Sequence, residues 1–287
     1  MNWRDAGIAF DLRDGRQPGL NPGCVIERPK VVRNAAGKFV MRFHLERNGN
    51  AYSDAMQGVA TADRPEGPFQ LTWQGRPNPG IWPLNTPEEL RDPERIAAAR
   101  RETATISNGC NARTPEVSVL GYDVESGTGQ QSRDLTVFLD DDGRGYAVYS
   151  SEKNSTTHLA ELDADYIGFT GRYWRLFPWR WMEAPVIFKH GGRYYFIASD
   201  CTGWAPNAAR SAAADSLTGP WTELGNPATG AGGDTTYGGQ GTFALTLGGE
   251  TLFLADRWRP ENAIDGRYLW LPVEWEGERP VLRAPGR

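Results

Sequence analysis

One short pattern recurs four times along the chain: an acidic or amide residue, an apolar run, a Gly-centred turn and an aromatic strand. The copies are IERPKVVRNAAGKFVMRFH from Ile26, SRDLTVFLDDDGRGYAVYS from Ser132, MEAPVIFKHGGRYYFIAS from Met182 and GQGTFALTLGGETLFLADRW from Gly239. Hairpins repeated at intervals of tens of residues are the sequence signature of a β-propeller. Aligning the copies puts Glu27, Asp134, Glu183 and Gln240 at one equivalent position. The inner strands of propeller blades lie side by side around an axis. Equivalent positions therefore converge, and these four residues are expected to share one polar pocket, the candidate active site.

The rest of the chain reads as short strands. Gly37 to Leu45, Leu135 to Leu139, Tyr146 to Ser150, Thr157 to Leu162, Val186 to Phe188, Tyr194 to Ala198, Thr242 to Leu247 and Thr251 to Ala255 are rich in β-branched and aromatic residues. Asp142-Gly143, Gly191-Gly192 and Gly248-Gly249 supply hairpin turns that accept positive φ. Glu66-Gly67-Pro68-Phe69 and Leu217-Thr218-Gly219-Pro220-Trp221 read as the same turn in two blades. The repeat positions are 107, 49 and 57 residues apart, so the first interval holds two blades or one blade and an insertion; the insertion is favoured because Trp82 to Gln131 contains no second copy of the motif. That insertion, Trp82 to Gln131, reads as helical: Thr86-Pro87 with Glu89 offers one capped start, Asp92-Pro93 a second, and Arg95 to Arg101 is Ala-rich. It is either a lid over the pocket or a surface decoration. The segment before Glu27 is too short for a blade, so a five-bladed all-β propeller is expected with its first blade incomplete at the N-terminus. Asn2 to Leu12 would be a final strand of that blade.

Length and composition are those of one globular domain spanning 1–287. With 36 acidic and 31 basic residues intermixed, a net charge of −5 gives nucleic acid no basic footprint. No apolar run nears the roughly 18 residues that span a bilayer, and MNWRDAGIAF lacks a signal-peptide layout. Cys24, Cys110 and Cys201 are too scattered for a zinc site or disulfide framework. His44, His158 and His190 form no ligand motif, and the Asp140 to Asp142 cluster lacks EF-hand spacing. No metal and no cofactor are expected, since P-loop, nucleophile-elbow and dinucleotide patterns are all missing from the sequence.

The strings PGCVIERPKVV, QSRDLTVFLDDDG, EAPVIFK, the run Asp200-Cys201-Thr202-Gly203-Trp204-Ala205-Pro206-Asn207, and DRW followed by RYLWLPV together resemble glycoside hydrolase family 43, most closely its exo-β-1,3-galactanase branch. The resemblance covers nearly the whole chain outside Trp82 to Gln131. It implies a five-bladed propeller that inverts the anomeric carbon and releases galactose from β-1,3-galactan. The chain departs from the pattern at its start, where most members carry an Asp base. The resemblance also implies an exported, extracellular or periplasmic enzyme, and a monomer acting on galactan-type chains is the expectation.

Glu183, next to Ala184-Pro185 and after Trp179, Trp181 and Met182, has the most apolar setting of the four. Desolvation there raises a carboxyl pKa, as a general acid requires; the competing reading is a structural carboxylate pairing with Arg180. Asp134 on a neighbouring blade helps keep Glu183 protonated, and by resemblance it orients substrate. Gln240 is an amide and no ordinary base. The resemblance implies that Gln240, matching a Gln of the galactanase branch, holds the attacking water, with an imidic acid tautomer as one route; a structural amide is the alternative. By resemblance Glu27 grips hydroxyls of the terminal galactose with Tyr52 in support, unless Arg28 merely neutralises it. Trp204 suits stacking on a sugar face, with Thr202 and Asn207 as polar partners. An α-L-arabinofuranosidase or β-xylosidase of the same family and a non-catalytic sugar-binding propeller stay open as alternatives.

Overall fold

In the computed structural model, which describes residues 4–47, 49, 52–103 and 118–284, three successive four-stranded antiparallel meanders come first. Sheet one is β1 (Val25–Arg33), β2 (Phe39–Glu46), β3 (Met56–Ala62) and β4 (Gln70–Gly75). After helices α1 (Pro93–Thr103) and α2 (Ser118–Glu125), sheet two is β5 (Leu135–Leu139), β6 (Gly145–Ser151), β7 (Thr156–Leu162) and β8 (Phe169–Leu176). Sheet three is β9 (Glu183–His190), β10 (Arg193–Ser199), β11 (Arg210–Ala214) and β12 (Thr222–Gly225). Beyond a short strand β13 (Ala228–Thr229), sheet four has β14 (Gln240–Leu247), β15 (Glu250–Arg257) and β16 (Arg267–Pro272). The last strands, β17 (Glu274–Glu276) and β18 (Arg279–Arg283), join β13 in a fifth, mixed sheet.

This is the expected all-β propeller, and each of the strands predicted from Gly37 to Ala255 lies within one observed strand or overlaps most of it. The two turns read as equivalent occupy equivalent places, between β3 and β4 and between β11 and β12, and both contain a cis Gly-Pro bond, Gly67-Pro68 and Gly219-Pro220. Sheets one to four begin at the pocket, with β1, β5, β9 and β14 packed in succession. The fifth sheet sends no strand there. Its Ala228, Leu282 and Trp275 pack with Val186, Phe188 and Tyr195 of sheet three and Phe253 and Leu269 of sheet four.

Among the described residues, 4–24 contain no strand, so the final strand expected at Asn2 to Leu12 does not form there. Apolar side chains explain the difference. Ala9, Phe10, Leu12 and Leu20 cover Met41, Phe43 and Leu45 of sheet one, and the Ala9 carbonyl accepts a 2.7 Å bond from the Phe69 N–H. This stretch is held by its buried side chains, not by a ladder.

Joints between sheets combine apolar packing with polar bolts. Arg42 of β2 is buried and donates to the Tyr166 carbonyl at 2.9 Å and to Gln57 at 3.0 Å, while lying 4.7 Å over the Phe169 ring. Asp140, in the acidic hairpin, accepts from Tyr194 at 2.7 Å and Lys189 at 3.2 Å, tying sheet two to sheet three. Sheets three and four meet at Gly241, where an added Cβ would lie 2.9 Å from Val186 and 3.0 Å from Phe253.

The insertion is helical as expected, with the second of its two candidate starts in use. Asp92 caps α1 by accepting from the Arg95 N–H at 2.8 Å, whereas Thr86 is buried and its hydroxyl caps nothing. Helices α1 and α2 close over Leu90, Ile96, Leu120 and Val124. The strand edge of β8 is covered by the start of the insertion: Leu84 N–H bonds the Tyr173 carbonyl at 2.8 Å, and Asn85 pairs with both backbone groups of Arg175 at 2.8 and 2.9 Å. Of the described residues in this segment, Gln131 alone lines the pocket, so the described part is a buttress for sheet two.

Gly241→Ala is expected to destabilise the protein by about 1–3 kcal/mol through overpacking at the joint between sheets three and four, measured by denaturant unfolding.

Candidate active site

All four repeat residues line one cavity of about 690 Å³. Glu183 and Gln240 are the first residues of β9 and β14, Asp134 immediately precedes β5, and Glu27 is the third residue of β1. A local break in register accompanies three of them: between Glu27 and Lys30 in β1, opposite Glu183 and Val186 in β10, and between Gly241 and Phe243 in β14. Bulges re-aim side chains where a strand meets a site. Arg28 and Ala184, each just after a repeat carboxylate, take φ of 53° and 54°. Such left-handed residues cost about 1–3 kcal/mol each and persist only where the surroundings enforce them.

The Glu183 carboxyl is nearly enclosed. Its Oε1 accepts from Asn154 Nδ2 at 3.2 Å and from Cys201 Sγ at 3.8 Å, and its Oε2 from Gln240 Nε2 at 3.4 Å. Burial first, and then the charge of Asp134, push its pKa from 4.5 up to about 8, against the opposing pull of Arg28 and the donated hydrogen bonds. Glu183 is therefore protonated at neutral pH. The alternative pairing with Arg180 is not formed, because Arg180 binds Glu223 at 2.7 Å on the surface.

Arg28, which the sequence reading set against Glu27, turns instead across the axis. It donates to Asp134 at 3.0 Å, to Asp256 at 3.2 Å, to the Gly241 carbonyl at 3.1 Å and to Gln240 Oε1. Its carboxylate partners keep its pKa raised although burial opposes the charge. Below it, Lys30 donates to the Arg28 carbonyl at 3.2 Å and Thr242 at 3.1 Å, and burial followed by repulsion from Arg28 pulls its pKa down to about 7.

Gln240 has both ends of its amide engaged. Arg28 and Trp258 (2.9 Å) donate to Oε1, while Nε2 donates to Ser199 at 2.9 Å and Glu183 at 3.4 Å. Two donors on the oxygen favour the amide over the imidic acid form, which would place a proton there. The contact with Glu183 is also shorter than the roughly 6.5–9.5 Å between catalytic groups that sandwich a sugar and a water in inverting enzymes.

Glu27 is held on both oxygens, by the Tyr52 hydroxyl at 2.8 Å and His44 Nδ1 at 3.0 Å. His44 Nε2 meets Glu46 at 2.9 Å. Burial disfavours a charge on this imidazole, and its two carboxylate partners outweigh burial, so its pKa is raised. Ligand atoms of Glu27, His44 and Asp134 lie within 4.8 Å of one another. They do not fit a cation as they stand: both oxygens of Glu27 are hydrogen-bonded and Asp134 faces the Arg28 guanidinium, whose charge would repel one.

Trp204 projects at the rim, 53% exposed, and meets Trp258 edge-on at 5.2 Å. Thr202 and Asn207 are not in the main cavity. The Thr202 hydroxyl donates to the Ala205 carbonyl at 2.6 Å, and the Asn207 side chain binds Thr202 at 2.6 Å and both backbone groups of Asp200 at 3.0 Å. They shape the loop that presents Trp204. Sequence reasoning missed Arg28 as a hub, and it missed His44, Asn154 and Trp258. His44 was accessible in principle as the cross-strand partner of Glu27, and Trp258 lies in the quoted DRW string.

Residues 119–277, more than half of the chain, match the family model described as glycosyl hydrolases family 43. The fold is similar to a solved GH43 β-1,3-galactosidase bound to galactodeoxynojirimycin: 42% identical, covering 100% of this chain and 83% of that one, with a TM-score of 0.88. It is also similar to the exo-β-1,3-galactanase of Phanerochaete chrysosporium with β-1,3-galactotriose, at 29% identity and a TM-score of 0.71, covering 96% of this chain and 52% of the other. A shorter stretch of 111 residues is 33% identical to the β-D-galactofuranosidase xynD of Aspergillus niger, spanning 37% of this chain and 32% of that protein.

Glu183 binds its proton more tightly folded than unfolded, so between pH 4.5 and about 8 it makes the fold less stable as pH rises. Glu183→Gln removes this dependence. Its unfolding free energy should gain on that of the wild type by up to about 1.4 kcal/mol per pH unit across this window, measured by urea titrations at pH 5, 6.5 and 8.

Proposed function

The chain belongs to glycosyl hydrolases family 43, and from that premise we propose that it is an exo-acting, inverting enzyme releasing galactose from β-1,3-galactan. The observation that carries the reading is a carboxyl, Glu183, set in a cavity lined by residues at the starts of four sheets, where burial and the charge of Asp134 push its pKa up to about 8. A retained proton is what departure of a sugar alkoxide requires. Arg28, bonded to Asp134 and to the Gly241 carbonyl, lines the cavity between sheets, and we read that side as closed, which suits a chain end. Similarity to the β-1,3-galactosidase and the exo-β-1,3-galactanase supports galactose as the sugar.

In this reading Glu183 donates its proton to the glycosidic oxygen as the C–O bond breaks, and a water attacks the anomeric carbon from the opposite face. Glu27 and Tyr52 bind hydroxyls of the terminal galactose, Asp134 sustains the protonation of Glu183 and Trp204 stacks at the rim. Gln240 serves the water. An entering sugar displaces its 3.4 Å contact with Glu183, the longest of its hydrogen bonds, and frees Nε2. With Oε1 still held by Arg28 and Trp258, Gln240 then orients the water by donating to it and does not take its proton, which passes to solvent as the new C–O bond forms.

Incubation with β-1,3-galactobiose should release galactose, with α-galactose as the first anomer seen by NMR. Aryl α-L-arabinofuranoside, β-xyloside and β-galactofuranoside should be poor substrates; preference for any of them, or no turnover at all, overturns the reading. Glu183→Gln should lower kcat by about 10²–10⁴-fold while sugar binding persists in calorimetry.

A further inference from the structure

Behind the acid lies a buried ion cluster that the reaction as described does not use. Glu152 is the first residue of the turn between β6 and β7, and it accepts from Arg175 at 2.7 and 2.9 Å and from His158 Nε2 at 2.9 Å. All three side chains are almost wholly buried. The turn they hold has three consecutive non-glycine residues at positive φ, Glu152 at 50°, Lys153 at 58° and Asn154 at 67°. The main chain is pinned on both sides: Lys153 N–H bonds Gln131 Oε1 at 3.2 Å, and the Ser155 carbonyl accepts from Trp181 N–H at 3.2 Å, two residues before Glu183. Arg175 is fixed from outside by Asn85 of the insertion. The last residue of the left-handed run, Asn154, delivers its Nδ2 to Glu183 Oε1 at 3.2 Å.

We propose that Glu152, Arg175 and His158 are positioning residues that hold Asn154 against Glu183 and so decide which carboxyl oxygen carries the catalytic proton. An oxygen that accepts an N–H is the carbonyl-like one of a protonated acid. Oε1 takes two donors, Asn154 Nδ2 at 3.2 Å and Cys201 Sγ, whereas Oε2 takes only the longer 3.4 Å bond from Gln240 Nε2, so Oε1 is the more carbonyl-like oxygen and the proton sits on Oε2. A strained turn without glycine survives there because the buried Glu152 carboxylate is bound by Arg175 and His158, and relaxing the cluster releases the turn. This inference rests on Glu183 being the acid.

The test compares Asn154→Ala, Glu152→Gln, Arg175→Lys and the double variant Glu152→Gln/Asn154→Ala, on β-1,3-galactobiose and without substrate. Charged and titratable groups facing Glu183, namely Asp134, Arg28 and Cys201, stay in place in all of them. Asn154→Ala should lower kcat about tenfold with KM within about threefold, and move the alkaline limb of the rate profile up by about half to one pH unit, because a donor to the carboxylate is lost. Glu152→Gln and Arg175→Lys should shift both in the same direction by less. In the double variant Glu152→Gln should add nothing to Asn154→Ala, as residues acting through one another are non-additive. Without substrate, the infrared carbonyl band of protonated Glu183, identified as the band missing in Glu183→Gln, should move to higher frequency in every variant. If Glu152→Gln fails to fold, Arg175→Lys carries the same comparison. Additive losses, or a lowered melting temperature with an unchanged limb and band, would overturn the proposal. A wild type inactive on β-1,3-galactobiose would instead overturn the galactanase reading, with the band still deciding where the proton sits.

Discussion

The guanidinium of Arg28 is the constraint on which the site depends. Its donors reach Asp134 before β5, Gln240 and Gly241 of β14 and Asp256 of β15, and so join sheets one, two and four around the axis. The third sheet enters through Gln240, which donates to Ser199 and Glu183. One buried cation thus balances two carboxylates and leaves Glu183 as the acid that gains by staying neutral. Removing the guanidinium would strand Asp134 and Asp256 partly buried without their partner, a larger penalty than the loss of its hydrogen bonds alone.

The division of charge follows from placement. Asp134 is partly exposed and pairs with Arg28. Glu183 lies among Asn154, Cys201 and Gln240, and no cation among the described residues forms an ion pair with it. The surroundings of Glu183 push it toward the neutral form while Asp134 is engaged by the Arg28 guanidinium, an arrangement that suits acid catalysis at neutral pH. On the other side of the pocket, Tyr52 and His44 hold Glu27 rigid by occupying both of its oxygens.

Much of this was legible in the sequence because repetition converts distance along the chain into proximity in space. Glu27, Asp134, Glu183 and Gln240 were placed by equivalence alone, and the hairpin strands by their β-branched and aromatic residues and Gly-Gly or Asp-Gly turns. What stayed hidden departs from the repeat. Arg28 faces the axis because β1 changes register there and Arg28 takes a left-handed φ, which nothing in its residue type announces. Asn154 rides on a left-handed turn that contains no glycine to mark it. Thr202 and Asn207 were legible as polar neighbours of Trp204, but their hydrogen bonds close within their own loop. The N-terminal segment suggested a strand, yet its apolar residues bury against sheet one without joining a ladder.

The account turns on Glu183 holding a proton at neutral pH. A ¹³C NMR titration of glutamate-carboxyl-labelled protein, with the Glu183 resonance assigned by its loss in Glu183→Gln, measures this directly. A midpoint near pH 8 is the predicted result; a midpoint near the ordinary glutamate value of about 4.3 would contradict it.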